Sequence, residues 1–487
     1  MNKAATIADN KHHYQEIYQQ LKWLSPAQAR KAEKERQILL TYLATAGVTT
    51  DYHQTKLDCR SLSPGCRSCG AGTWSCLFIN GICNCRCFYC PTTQHETGVP
   101  TTSSLLFPNV VDYLQYLEYF KFKGVGLSGG EPLLTFDTTL LYLTEIKKKF
   151  AQNIHVWLYT NGTKVTEPIL QQLKEAGLDE IRFDLSANAY NLENVTLAAQ
   201  YIPTITVEIP AIPEDYPILT ATLMPMKEAG VHFLNLHQMR VTPHNYHEFV
   251  KRNYTFLHGP KLSILESELT ALRVLQYSVA NAIALPINYC SSIYRNRFQA
   301  YAVRKRHAEC ICKPYEEITL TGMIRTLWLK AHEKSLNPLI EKLISHNYDS
   351  ALWLWDKTTK TLFFHASLYK AIYEWIYECI YISKDFSNGD ISLGLRYHIS
   401  RILSQVTYRN PFLEIQLPSG KKLIIERQPV SPEILFSDVE VMHAFWQMFL
   451  APIPIPNPEA ESLLKLIPEA EILIDCERIP QGLQAYY

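Results

Sequence analysis

Eight of the thirteen cysteines in this chain of 487 residues lie between Cys59 and Cys90. The densest stretch is Cys83-Asn84-Cys85-Arg86-Cys87-Phe88-Tyr89-Cys90, which follows a predicted strand in a loop that must curl to bring its thiols together. In a small secreted domain such a run reads as a disulfide framework. In a long chain whose start is polar (His12, His13, Gln15) and shows no apolar leader, it reads as metal or cluster binding. Two ligand sets compete. Cys66 with Cys69 and Cys87 with Cys90 are two C-x2-C pairs, the spacing of a four-thiolate zinc ribbon. Cys83, Cys87 and Cys90 instead form C-x3-C-x2-C, three thiolates for a four-iron cluster with one iron left open. An open iron can bind and act on a substrate, whereas zinc cannot change its redox state.

After the next predicted strand comes Ser128-Gly129-Gly130-Glu131-Pro132. Two glycines let the backbone pass close to a ligand, and Glu131 offers a carboxylate suited to a cationic amine. Taken alone, the same residues make an ordinary strand-to-helix turn. The order of cysteine loop, glycine turn and repeating βα units is more specific than any one of them.

The elements that must position these residues follow from the alternation of short apolar runs with helix-length segments. Strands are expected at Cys76–Asn80, Val125–Ser128, His155–Thr160, Glu180–Leu185, Thr204–Pro210 and His232–Gln238. Helices are expected near Asn109–Lys121, Asp137–Phe150, Glu167–Ala176, Leu192–Tyr201 and Pro217–Ala229. Six strands separated by helices imply a parallel sheet, too short for a closed eight-stranded barrel of about 250 residues. The expected division is a helical and cysteine-rich extension (1–75), the partial barrel (76–240), a helical extension with Cys290 and a basic run (241–320), and a C-terminal α+β region of unknown role (321–487). Apolar residues make up 47% of the chain, enough for a sizeable core. The 47 basic and 47 acidic side chains cancel, which gives no general pull toward nucleic acid or anionic membrane. No run of about 18 or more uncharged apolar residues is present. The expected setting is cytoplasmic, with neither membrane nor nucleic acid as partner.

With these motifs in order, the sequence resembles the radical S-adenosylmethionine (SAM) superfamily. Cys83, Cys87 and Cys90 match its cluster motif, including Tyr89 before the last cysteine, and Ser128, Gly129, Gly130, Glu131 and Pro132 match its glycine-rich SAM motif. A narrower resemblance rests on Gly65-Cys66-x2-Cys69, Leu77–Asn80, Cys90-Pro91, Glu180-Ile181-Arg182-Phe183, Glu208–Pro213 and Tyr289-Cys290-Ser291-Ser292. It points to a poorly characterised subgroup related to pyruvate formate-lyase activating enzymes. Cys85, inside the cluster loop, departs from the pattern and could compete as a ligand.

The resemblance implies an α/β fold with a partial (β/α)6 barrel, and a [4Fe–4S] cluster that a flavodoxin- or ferredoxin-type donor reduces. SAM would be cleaved to a 5′-deoxyadenosyl radical that takes hydrogen from an unidentified small metabolite, peptide or protein residue. Other contacts to SAM are expected from Asn161, Asp184 and Ser186 at strand ends. Glu208, His237 and Cys290 are the candidates to meet substrate or its radical. Each has a plainer reading: Asn161 as a turn residue, His237 as a core histidine, Cys290 as a small buried apolar residue. Cys66 and Cys69, joined by Cys290, could hold a second iron–sulfur or zinc site. Arg295, Arg297, Arg304, Lys305, Arg306 and His307, interleaved with Tyr294, Phe298 and Tyr301, read as the solvated face of an amphipathic helix or as a contact for RNA or a phosphorylated substrate. The alternatives to this enzyme are a non-catalytic zinc or iron–sulfur module and an RNA-modifying member of the same superfamily.

Overall fold

A computed structural model describes residues 3–52, 55–95, 98–103, 105–331, 333–381, 403–409, 413–425, 433–436, 439–451, 457–467 and 469–478. The chain divides into two compact units, one built mainly from 1–303 and the other from 304–415 with 424–479.

The first unit carries an eleven-stranded sheet. In chain order its strands are β1 (Thr49–Asp51), β2 (Lys56–Cys59), β3 (Trp74–Asn80), β4 (Thr101–Thr102), β5 (Leu105–Leu106), β6 (Gly124–Gly129), β7 (His155–Thr160), β8 (Glu180–Phe183), β9 (Thr204–Pro210) and β10 (Phe233–His237), with Ile287–Cys290 further along the chain. Strands β3, β6, β7, β8, β9 and β10 lie side by side and parallel in that order, the open partial barrel. Their two faces are buried; all four residues of β8 are buried, its Glu180 and Arg182 as an ion pair. The six expected strands are all present, with edges shifted by at most two residues; β8 ends at Phe183 because the chain turns into a 3-10 helix at Leu185.

The parallel run continues past residue 240. Ile287–Cys290 pairs parallel with β10, setting Cys290 opposite His237. Antiparallel β2 then pairs along it, with Lys56 opposite Cys290. The sequence around Tyr289-Cys290 is too short for its period to separate strand from loop; pairing on both sides decides it.

Helices flank the sheet as the pattern of polar and apolar residues requires. Helix α1 spans Lys3–Tyr14 and α2 spans Pro26–Thr45. The start of α2 is fixed by Ser25, whose hydroxyl accepts from the Gln28 backbone while the Gln28 side chain accepts from the Ser25 backbone, a capping box with Pro26 in the first turn. Inside, Arg36 of α2 pairs with Glu268 at 3.0 Å, both side chains 2% exposed. Helix α3 (Pro64–Gly70) carries Cys66 and Cys69. Its Gly65 is forced: a Cβ there would stand 2.1 Å from the Arg182 guanidinium.

The second unit is α+β. Its sheet runs in the order Trp353–Asp356, Thr361–Phe364, Ile324–Lys330, Leu403–Arg409, Glu433–Phe436, with Glu316–Ile318 also against Ile324–Lys330. Leu327, Leu329, Phe364, Tyr369 and Phe445 centre its core. Leu413–Gln416 and Lys422–Ile425 form a separate two-stranded sheet. Much of the expected C-terminal region, including 382–400, lies outside the described residues. No described helix is long and apolar enough to cross a membrane.

Candidate active site

Parallel strands deliver their carboxyl ends to one face, and barrel sites gather there. The loop after β3 brings Cys83, Cys85, Cys87 and Cys90 to a cavity of about 310 Å³, which Ser128, Gly129, Gly130, Asn161, Asp184 and His237 also line. Backbone bonds shape the loop: Cys90 N–H donates to the Cys87 carbonyl at 3.0 Å, and Cys83 N–H to that of Gln94 at 3.4 Å. The three spaced cysteines and the glycine turn therefore share one cavity, and Cys85 joins them.

The glycine turn abuts the cysteine loop. Gly130 N–H donates to the Asn80 carbonyl and Glu131 N–H to that of Ile82, at 2.9 and 2.7 Å. A Cβ on Gly129 would stand 2.4 Å from the Asn80 oxygen, and one on Gly130 would stand 2.0 Å from that of Ile82. Protein backbone on one side already demands both glycines, while their other side faces the cavity.

Glu131 differs from its expected use as an acceptor for a cationic amine. Its side chain is completely buried and its oxygens are taken by the chain itself. Asn161 N–H donates at 2.8 Å, Thr160 Oγ1 at 3.0 Å and Leu133 N–H at 3.1 Å. Burial raises the carboxyl's pKa, against the pull of these three donors. Glu131 thus ties the glycine turn to the end of β7.

Asn161 does similar work from the other side. Its Nδ2 donates to Asn84 Oδ1 at 2.9 Å and lies 3.8 Å from Cys83 Sγ. Its Oδ1 accepts from Thr163, so the turn reading also holds. Asp184 and Ser186, expected to face a ribose, are engaged with the cysteine loop. Tyr89 OH donates to Asp184, Ser186 Oγ donates to Asp184 at 2.5 Å, and Tyr89 and Ser186 share a bond of 2.6 Å. Burial pushes Asp184 up to about 6. Asp184 still borders the cavity; Ser186 is not among its lining residues.

Glu208 faces the barrel interior beneath the cavity. It accepts from Arg182 Nη1 at 2.6 Å and from Asn235 Nδ2 at 3.2 Å. Arg182, 3% exposed, also pairs with Glu180 at 2.8 Å and lies over Trp157, 4.7 Å from the ring centre. Glu208 is outside the cavity lining and serves as a counter-charge; the same holds for Cys290 as regards the lining. Cys290 sits deeper, where Lys56 Nζ donates to its sulfur at 3.4 Å and to Asn288 Oδ1. Asn288 Nδ2 lies 3.5 Å from Cys290 Sγ and 3.9 Å from Cys66 Sγ, so the C-x2-C pair of α3 and Cys290 do approach one another.

Gln238 and Arg240 line the cavity without having been singled out as site candidates, and Arg295 does so after being read only as part of the basic run. Arg240 is one of many surface-like charges in sequence, and only the return of the chain after β10 places it here. The basic run itself is a continuous helical stretch from Ser292 to Glu309. Its Arg297 and His307 are buried, 4% and 3% exposed, which departs from a uniformly solvated basic face.

Thiolates are the usual ligands of iron–sulfur clusters, and the cavity supplies three at the cluster spacing.

Comparison with known proteins agrees. Residues 77–191 match the model of the radical SAM superfamily. A Methanocaldococcus jannaschii protein provisionally named a glycyl-radical enzyme activating enzyme is 33% identical over 298 residues, 58% of this chain and 77% of the relative. A GTP 3′,8-cyclase of Aliarcobacter butzleri is 30% identical over 24% of this chain and 35% of its own. Streptococcus suis SuiB bound to its precursor peptide SuiA aligns at a TM-score of 0.33 and 13% identity, over 60% of this chain and 63% of that one. The chain belongs to the radical SAM superfamily, whose cofactors are a [4Fe–4S] cluster and SAM.

Proposed function

We propose that Cys83, Cys87 and Cys90 hold the [4Fe–4S] cluster and that the exposed edge of Ser128, Gly129 and Gly130 receives SAM. The observation that carries this is the meeting of three spaced thiols and the glycine edge on one cavity. When bound and reduced, the cluster supplies the electron that splits SAM into methionine and a 5′-deoxyadenosyl radical. The chain's own residues hold the geometry. Glu131 and Asn161 fix the glycine turn and the cysteine loop against the end of β7. Asp184 and Ser186 fix Tyr89 and with it the last turn of the loop. His237, at the end of β10, lines the side of the cavity available to substrate. A flavodoxin- or ferredoxin-type donor would reduce the cluster.

The test is anaerobic reconstitution with iron and sulfide, followed by dithionite and SAM. Formation of 5′-deoxyadenosine with about four irons per chain, or about eight where a second cluster is present, supports the reading. Bound zinc with SAM untouched returns the cysteines to a non-catalytic module. Salt-dependent binding of RNA would favour an RNA-modifying enzyme.

A specific observation favours a second thiolate centre at Cys66, Cys69 and Cys290. Lys56 is 2% exposed amid these thiols, and no carboxylate pairs with it among the described residues. Buried charges are ordinarily paired, and thiolates held by a cluster would complete this one. Iron retained by a chain carrying Cys83→Ala, Cys87→Ala and Cys90→Ala together, and lost when Cys66 and Cys69 are also replaced, supports it. An iron-free triple variant that remains folded refutes it.

A further inference from the structure

Four charged side chains line the cavity: Arg182, Asp184, Arg240 and Arg295. Two are already balanced by the chain. Arg182 is paired with Glu180 and Glu208, and Asp184 is bonded to Tyr89 and Ser186. The other two are not. Arg240 makes no ion pair and no side-chain hydrogen bond among the described residues. Arg295 donates a single bond, Nη2 to the Gln238 carbonyl at 2.7 Å, and has no carboxylate partner among them.

The neighbourhood holds these cations in place. Gln238 is completely buried between them. Its Oε1 accepts from Ser292 N–H at 2.9 Å and its Nε2 donates to the Ile264 carbonyl at 3.0 Å. This locks the segment after β10, which carries Arg240, to the segment after Ile287–Cys290, which carries Arg295. His237 borders the same space.

Building on the radical SAM reading, we propose that Arg240 and Arg295 receive an anionic group of the substrate, a carboxylate or a phosphate. Partly buried like charges without a counter-ion are costly, and an anion would relieve both at once. The planar fork of arginine matches two oxygens of either group. Burial, then Arg295, lowers the pKa of Arg240, so the two cations sense one another. Burial, then Arg295, pushes His237 down to about 3, against a backbone hydrogen bond with Gln238. Arg240 and Arg295 stand at the carboxyl ends of neighbouring parallel strands, where a substrate beside SAM would reach them.

The test uses anaerobically reconstituted protein with saturating SAM and, as probes, inorganic phosphate and acetate against chloride at equal ionic strength. Expected is a dose-dependent rise in the thermal unfolding midpoint with at least one probe. Whichever probe acts identifies the group. Arg240→Gln with Arg295→Gln should abolish that rise without lowering the midpoint measured in chloride, because two uncompensated charges are gone. SAM affinity, measured by calorimetry, should stay within about twofold. Should the double variant fail to fold, Arg240→Lys alone, which keeps the charge and loses the fork, should weaken the anion effect.

No probe-dependent rise in the wild type, or one that survives in the variants, overturns the proposal. So does a fall in SAM affinity of about tenfold or more, which would assign the arginines to the carboxylate of SAM. Failure of the underlying reading is separate: wild-type protein would then form no 5′-deoxyadenosine, whatever the anions do.

Discussion

The hydroxyl of Tyr89 lies 3.1 and 3.0 Å from the two carboxylate oxygens of Asp184. One residue comes from the cysteine loop and the other follows β8, so this contact sets where the loop's last turn sits over the barrel. Phe88, beside it, packs its ring against Phe249 at 5.6 Å and under the Arg252 guanidinium at 3.7 Å. The loop is therefore braced on both sides before any cofactor enters.

Tyr89→Phe keeps the ring and deletes the brace. Asp184 would lose a donor in a buried setting, at a cost of about 1–3 kcal/mol. The expected result is a lower yield of cluster after reconstitution with little change in overall secondary structure. Iron per chain and far-ultraviolet circular dichroism measure the two. Full iron content in the variant would show that the brace is dispensable.

Glu131→Gln tests the tie between the glycine turn and β7. The amide must offer an N–H where the carboxylate accepts three bonds, so at least one buried donor loses its partner, again about 1–3 kcal/mol. Cluster content and SAM affinity should fall together, because both edges of the cavity depend on this tie. A loss of SAM affinity with cluster absorbance intact would mean that Glu131 meets the ligand directly.

The barrel was readable from sequence because its strands are buried on both faces and each sits between helix-length periodic segments. His155–Thr160 and Thr204–Pro210 have the expected ends to the residue. The strand at Ile287–Cys290 was not readable as such, since four residues carry too little period and its neighbours are distant in sequence. The site divides in the same way. Local spacing pointed to Cys83, Cys87, Cys90 and the glycine turn, whereas the partners of Glu131, Asp184 and Arg240 are set by which strand ends meet. A carboxylate after a strand looks alike in sequence whether it faces a ribose or a tyrosine of its own chain.

Cys85 lines the cavity beside Cys83, and its backbone N–H donates to Cys83 Sγ at 3.4 Å. That contact stabilises a Cys83 thiolate without requiring the Cys85 thiol. Cys85→Ala should therefore keep the iron content of the wild type, and Cys87→Ala should lose about four irons per chain. If Cys87→Ala kept the full wild-type iron content and the double variant lost about four irons per chain, Cys85 would be the substitute ligand.

Glu180 gives the fold a defined acid sensitivity. Burial works against its charge, but Arg182 and then His155 outweigh it and hold the carboxyl down at about 2, below its ordinary 4.5. A carboxylate lowered on folding adds stability that is fully present above the unfolded value and is lost as pH falls toward the folded one. Glu180→Gln leaves Arg182 with Glu208 as its remaining partner, so the expected cost near neutral pH is about 3 kcal/mol. The gap between wild type and variant should hold down to about pH 4.5 and narrow between there and about 2. Denaturant midpoints across that range measure it. A gap of constant size throughout would mean that Glu180 stabilises the barrel by its shape and neutral hydrogen bonds rather than by its charge.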